Sequence, residues 1–317
     1  MTRVLNSFKI RSGDKILDYR LDENLDLEKI RIFFQKKDYG VKEIWNGSRH
    51  ITGILTKGIA TYFLKLSTSE GISVVTKHEY NWNDYSKKYF PKEFPFYVPR
   101  NFDKGLYQSK CFYIISDYFD GKLLCNANDT FGKSNHLIQY IPKIIKLSEL
   151  IQKMPFVNFS NEKSREDYKA RFVHKTNRWF SDIPLNIQKN FKIKILLDIV
   201  ERGVNKLTSK PRHGDFTPWH IINLKKLGLG LIDGEHALPD GVENYDICYL
   251  IQRVFSVLKN PQLAQNIYAQ LLSKGYEKDK LRAVLAARVI GGFLDESLIE
   301  KPDYKFASNF MDWVLKI

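Results

Sequence analysis

The chain has 317 residues, 43% of them hydrophobic and 14% aromatic, enough to bury one large core or two smaller ones. No apolar run reaches membrane-spanning length and no hydrophobic region follows Met1-Thr2-Arg3, which argues against a transmembrane or secreted protein and for a cytoplasmic one. Cys111, Cys125 and Cys248 show no metal or redox spacing, as a reducing compartment allows.

The formal net charge is +14, and it is unevenly spread. Residues 1–120 carry 20 Lys+Arg against 15 Asp+Glu, residues 121–212 carry 18 against 8, and residues 213–317 carry 12 against 13. The excess of residues 121–212 reads either as a solvated helical face or as attraction for an anionic substrate, a nucleic acid or a membrane surface.

Residues 1–28 mix charges without periodicity and read as an N-terminal extension. Val41 to Trp45, His50 to Leu55 and Ile59 to Leu66 are rich in Ile, Thr, Tyr, Phe and Val and predict three short strands. Asn46-Gly47-Ser48 and Thr56-Lys57-Gly58 between them predict hairpin turns. The two-residue period of the third strand puts Lys65 on the face of Phe63, where an apolar residue would be expected. A lysine at a strand end is otherwise a solvent-facing edge residue. Residues 71–90 predict a helix with Val75, Glu79 and Trp82 at i, i+4 and i+7. Glu79 is then either a surface glutamate or an acid within a buried stripe. A buried acid needs a cation, and Lys65 is the natural one. Cys111 to Ser116 predicts a strongly apolar strand running into Asp117-Tyr118-Phe119-Asp120-Gly121.

Beyond this point the pattern is helical. His136 to Met154 places Ile141, Ile144, Ile145 and Ile151 on one broad apolar face. Residues 163–181 interleave Arg165, Arg171, Lys175 and Arg178 with Tyr168 and Trp179. Such a segment can stack on bases, or form the core and rim of a helix. Further helices are predicted over residues 186–207 and at about 244–259, 261–274, 278–296 and 304–316.

Two stretches carry the chemistry. The first runs His213-Gly214-Asp215-Phe216-Thr217-Pro218-Trp219-His220, and the second Leu231-Ile232-Asp233-Gly234-Glu235. Lys225-Lys226-Leu227-Gly228 between them predicts a hairpin turn, which would bring Asp215 and Asp233 to the same end. Two carboxylates at one mouth suit a divalent cation and a proton acceptor, the equipment of phosphoryl transfer.

These stretches resemble the catalytic and metal-binding loops of the aminoglycoside phosphotransferase and choline kinase family, whose pattern is HGDxxxxN followed by an apolar strand ending DxE. His213, Gly214, Asp215, Asp233 and Glu235 match it, and His220 replaces the metal-binding Asn. The resemblance implies an α+β, bilobal protein-kinase-like fold. Residues 29–120 would form a small antiparallel-sheet lobe with one main helix, and residues 121–317 a larger, mostly helical lobe. It implies ATP and Mg²⁺, with Mn²⁺ as a possible substitute, and a small-molecule hydroxyl as acceptor. Asp215 would be the general base, with His213 bracing its loop. Asp233 and His220 would hold the metal, Glu235 would support them, and Asp246 would tie a helix start to the catalytic loop. Lys65 would hold the α- and β-phosphates and pair with Glu79. Asn46, Gly47 and Ser48 would lie over the phosphates, and backbone groups at Asp117 and Phe119 would meet the adenine.

His220 cuts across this pattern, because imidazole is a softer ligand than an amide oxygen and suits transition metals better. An active kinase is still expected, since base, metal acid and phosphate lysine are all present, and His220→Asn should support Mg²⁺-dependent turnover at least as well. The alternative is a nucleotide-binding pseudokinase or scaffold. The basic segment speaks against polycationic aminoglycosides as substrates and for an anionic one. A nucleic-acid-binding protein would suit the net charge but leave the acid pair unexplained. The short stretch from Asp233 to Asp246 lacks the activation segment of a protein kinase.

Overall fold

A computed structural model describes residues 5–91, 95–129, 131–159 and 167–317. The chain divides into two compact units, Met1–Lys122 with Ile222–Ala237, and Leu123–Ile221 with Leu238–Ile317. The class is α+β as expected: antiparallel strands dominate the N-terminal region and helices the C-terminal one.

The first unit is built on a five-stranded antiparallel sheet ordered Gly40–Asn46, His50–Lys57, Ala60–Ser67, Cys111–Asp117 and Asn101–Tyr107. The β-branched and aromatic runs that predicted strands here form them. Leu64 and Leu66 of the third strand are fully buried against Ile30 and Phe34 of the helix Leu27–Gln35. Period 2 therefore turns Lys65 to the opposite face. The turn after the first strand closes with the Gly47 N–H donating to the His50 carbonyl at 2.8 Å, and Ser48 takes a positive φ of 65°.

The helix Glu70–Tyr89 follows, capped by Ser69, whose hydroxyl accepts the Ile72 N–H, and ending on Lys87 and Lys88, which suit the negative end of the helix dipole. Val75, Glu79 and Trp82 are all buried on it, as their spacing predicts. Residues 9–18, where no periodicity signalled structure, form the hairpin Lys9–Ser12 with Lys15–Asp18, and Lys15 pairs with Glu70 at 3.0 Å. The strands Ile221–Asn223 and Leu229–Leu231 pair around the Lys225–Gly228 turn, with Gly228 at φ 118° and its carbonyl accepting the Leu224 N–H at 2.9 Å.

The second unit is mainly helical. Its core is Lys278–Glu296, buried almost all round from Leu281 to Leu294. Tyr245–Gln252, Pro261–Ser273 and Lys305–Lys316 match the predicted helices, the first continuing as a π turn to Val257. Two predictions need correction. The helix expected from His136 starts as the 3-10 turn Asn135–Tyr140 and becomes α-helical over Ile141–Gln152, where Pro142 occupies the first turn, the one place an α-helix tolerates it. The helix expected over residues 186–207 is two, Leu185–Asn190 and Lys194–Val204, because Lys192 takes a left-handed φ of 51° that no α-helix continues through. The basic helix is Tyr168–Asp182, capped by Asp167, while Arg165 and the rest of residues 160–166 lie outside the described residues. Among the described residues no helix is long and apolar enough to cross a membrane.

Candidate functional site

In the first unit the charged residues converge on Lys65, which is 8% exposed. Its ammonium lies 2.5 Å from Glu79 Oε2, 2.7 Å from Asp233 Oδ1 and 2.7 Å from Glu235 Oε1. Oxygens of these three carboxylates lie within 4.8 Å of one another. Arg49 Nη2 reaches Glu235 Oε2 at 2.8 Å. His50 Nε2 lies 2.9 Å from Thr76 Oγ1 and 3.1 Å from Glu235 Oε1. The Thr76 hydroxyl donates to the Ile72 carbonyl, so it accepts from His50, and the imidazole carries its proton on Nε2.

Burial would lower the pKa of Lys65, but Asp233, Glu235 and Glu79 outweigh it and hold the ammonium charged. Burial pushes Glu79 up to about 7 against the pull of Lys65. For Glu235 burial is the largest influence and acts upward, yet its neighbours, Lys65 first among them, together outweigh it and the carboxyl falls to about 2. Burial, aided by Lys65, takes His50 down to about 3 and keeps it neutral. Two cations, Lys65 and Arg49, thus face three acids, of which Glu79, near 7, can take up a proton and bring the group close to neutral.

Local backbone explains how both acids after Leu231 reach one ammonium. Asp233 sits at φ 68°, an uncommon conformation for a residue with a Cβ. A Cβ on Gly234 would lie 2.1 Å from Trp82 Cδ1, so only glycine lets the chain press on the indole and bring Glu235 back to Lys65.

The remaining expected nucleotide contacts are placed less directly. In the Asn46-Gly47-Ser48 turn the Ser48 N–H donates to Asn46 Oδ1 at 3.0 Å, so these N–H groups close the turn, and the residue that projects from it is Arg49. The Asp117 carboxylate is taken by Arg100, at 2.9 and 3.0 Å, and the Phe119 carbonyl accepts the Gly121 N–H at 3.0 Å. Arg49 and His50 escaped sequence reasoning. A buried acid two residues beyond Asp233 was the signal that a cation was required, but no spacing links residue 49 to residue 235.

His50 yields a pH prediction. Its folded-state value lies below the ordinary one, so between about 6.5 and 3 the unfolded chain binds the extra proton and stability falls as pH falls. From pH 7 to pH 5 this group should cost about 2 kcal/mol. Urea unfolding at both pH values should show a smaller loss in His50→Gln than in wild type, and parallel losses would clear His50 of the effect.

In the second unit Asp246, in the first turn of Tyr245–Gln252, accepts the His213 N–H at 2.7 Å and the Gly214 N–H at 2.8 Å. Burial pushes it up to about 6 against those two hydrogen bonds. His213 is fully buried beside the Phe216 ring, a bracing position, while Asp215 emerges with its side chain 22% exposed. Pro218 opens the 3-10 turn Pro218–His220, which turns His220 back. His220 Nδ1 donates to the Asp215 carbonyl at 3.0 Å and lies 3.7 Å from Asp215 Oδ2. A neutral imidazole donating from Nδ1 carries its proton there, which leaves Nε2 the ring's acceptor. Asp246→Ala should orphan two buried N–H groups and cost roughly 2–5 kcal/mol in urea unfolding, with Asp246→Asn losing less. No loss in either variant would mean that the loop is held by other contacts.

No protein-family model matches the chain, and no curated protein does. Solved structures do match it. A thermostable mutant of aminoglycoside phosphotransferase APH(4)-Ia, in ternary complex with ADP and hygromycin B, superposes with a TM-score of 0.67 at 12% identity, over 91% of this chain and 98% of that one. Choline kinase LicA from Streptococcus pneumoniae does so with a TM-score of 0.55 at 13% identity, over 91% and 97%. Plasmodium vivax ethanolamine kinase gives 0.54 at 12% identity, over 88% and 82%. The chain therefore has the kinase-like fold of aminoglycoside phosphotransferases and of choline and ethanolamine kinases.

Proposed function

We propose that the protein is an ATP-dependent phosphotransferase that acts on a hydroxyl group of a small molecule. The observation that carries this reading is the Lys65 ammonium, buried and held jointly by Glu79 and Asp233. A strand lysine oriented by a helix glutamate is the device that presents one positive charge to nucleotide phosphates. The ADP in the APH(4)-Ia complex supports a nucleotide as the ligand. Backbone groups at Asp117 and Phe119 would meet its base, and the Asn46-Gly47-Ser48 turn would lie over its phosphates with its Gly47 and Ser48 N–H groups bonded within the turn.

Asp233 supplies hard carboxylate oxygen, which fits Mg²⁺. The metal's chemistry there would be to neutralise phosphate charge. Asp215 accepts the proton of the acceptor hydroxyl, and His213 and Asp246 fix the loop that presents it. His220, through Nε2, shifts the metal preference toward Mn²⁺. It also motivates the second reading, a nucleotide-binding pseudokinase, which predicts binding without turnover.

Thermal melting tests the nucleotide half of the proposal. ATP with Mg²⁺ or Mn²⁺ should raise the midpoint, and EDTA should reduce the rise. No rise with either metal would remove both readings.

A further inference from the structure

Among its described residues the second unit buries two arginines and half-buries a lysine that no carboxylate contacts. Arg212 and Arg288 keep 6% and 4% of their surface. Arg212 Cζ lies 3.8 Å from the Tyr245 ring centroid. Arg288 Cζ lies 4.0 Å from the Tyr249 ring and 4.9 Å from the Trp179 ring, and its Nη1 donates to the Tyr245 hydroxyl at 3.1 Å. Lys175, half-buried on Tyr168–Asp182, places its ammonium 5.1 Å from the Trp179 ring.

The neighbouring arginines are ordinary ion pairs: Arg171 with Asp240 at 2.6 Å and Arg253 with Asp295 at 2.8 Å. Among the described residues Arg212, Arg288 and Lys175 have no carboxylate within ion-pair distance, and the Nε of both arginines has no hydrogen-bond partner. Asp246 acts on Arg212 from farther off, but its oxygens hold the His213 and Gly214 N–H groups. The three cations act together on Tyr245, whose phenol drops to about 8 although burial works the other way.

Stacking on aromatic faces returns only part of what an uncompensated buried charge costs. Aromatic walls alone do not balance three such charges. Three cations less the Asp246 carboxylate leave a surplus of two, and a phosphate monoester carries roughly −1.5 to −2 at neutral pH. Guanidinium forks suit its oxygens, and Lys175 adds a third, half-buried cation that burial and the two arginines lower to about 8. The cluster also adjoins the proposed base. Arg212 directly precedes His213-Gly214-Asp215, and the charge of Asp215 acts on both Tyr249 and Arg253.

We infer that Arg212, Arg288 and Lys175 bind the phosphate monoester of an already phosphorylated acceptor whose free hydroxyl is presented to Asp215. This rests on the phosphotransferase reading and gives it a substrate class: a phosphorylated polyol or sugar in place of a polycation.

Inorganic phosphate is the probe, added to the 317-residue chain with and without saturating ADP and Mg²⁺, so that binding at Lys65 is told apart. Phosphate should raise the melting midpoint in both conditions. Lys175→Gln, a change at a half-buried position, should weaken its apparent affinity about 10-fold, and Arg212→Gln at least as much. If Arg212→Gln does not fold, Lys175→Gln carries the test. No phosphate effect, or an equal one in wild type and Lys175→Gln, overturns the inference. So does acetate acting as strongly as phosphate, which would point to a carboxylate ligand. Transfer of label from ATP to a neutral polyol without phosphate binding would leave the kinase reading standing and remove this one. Phosphate binding lost in Lys175→Gln, in a protein that transfers nothing from ATP, would do the reverse.

Discussion

Lys65→Met should lower the stability of the protein by about 3–5 kcal/mol and abolish nucleotide binding. The side chain volume is nearly kept, so the cost is electrostatic. Glu79, Asp233 and Glu235 would lose the one ammonium that contacts all three. Arg49 would remain on Glu235, with a weaker pull on Asp233, and would leave Glu79 without a cation in contact. Burial already favours the protonated form of Glu79, so the variant should recover part of the loss by taking up a proton there. The deficit measured in urea should therefore shrink as pH is lowered from 8 to about 6, and Lys65→Met with Glu79→Gln should be more stable than Lys65→Met alone. A Lys65→Met protein as stable as wild type at pH 8 would show that the ammonium does not hold the acids together.

Asp215→Asn should behave in the opposite way, with full stability and a turnover reduced by about 10²- to 10⁴-fold. The side chain is partly exposed, and the imidazole of His220 hydrogen-bonds the backbone carbonyl of residue 215, which the substitution keeps. The loop is held from behind by Asp246 through the His213 and Gly214 N–H groups, so its shape does not depend on the Asp215 carboxylate. Lost activity would then report the missing proton acceptor. The KM for ATP should stay within a few-fold of wild type, since the residues proposed to hold the nucleotide are untouched.

The sequence was legible where local chemistry decides the structure. Asn46-Gly47-Ser48 and the β-branched runs around it announced a hairpin, and the apolar spacing of Val75 and Trp82 announced and oriented a helix. The Lys65–Glu79 pair was readable because each charge interrupts an apolar period, which is costly unless the two meet. The grip of Arg49 on Glu235 was not, because 186 residues separate them and each looks like an ordinary surface charge. The break at Lys192 was hidden for another reason: its left-handed φ closes the helix end, with the Ile193 N–H donating to the Gln188 carbonyl at 3.1 Å, and no Gly or Pro announces it. The basic excess of residues 121–212 was visible as a count, but its meeting with Arg288 needed the packing of Lys278–Glu296 against the Tyr168–Asp182 helix.

The most direct test follows label from [γ-³²P]ATP, in Mg²⁺ and in Mn²⁺, into a pool of small hydroxyl compounds that includes phosphorylated ones. Wild type should form an acid-stable labelled phosphoester, and Asp215→Asn should bind nucleotide equally well but form almost none. Equal labelling by the two proteins, or none by wild type with either metal, would contradict a phosphotransferase that uses Asp215 as its base.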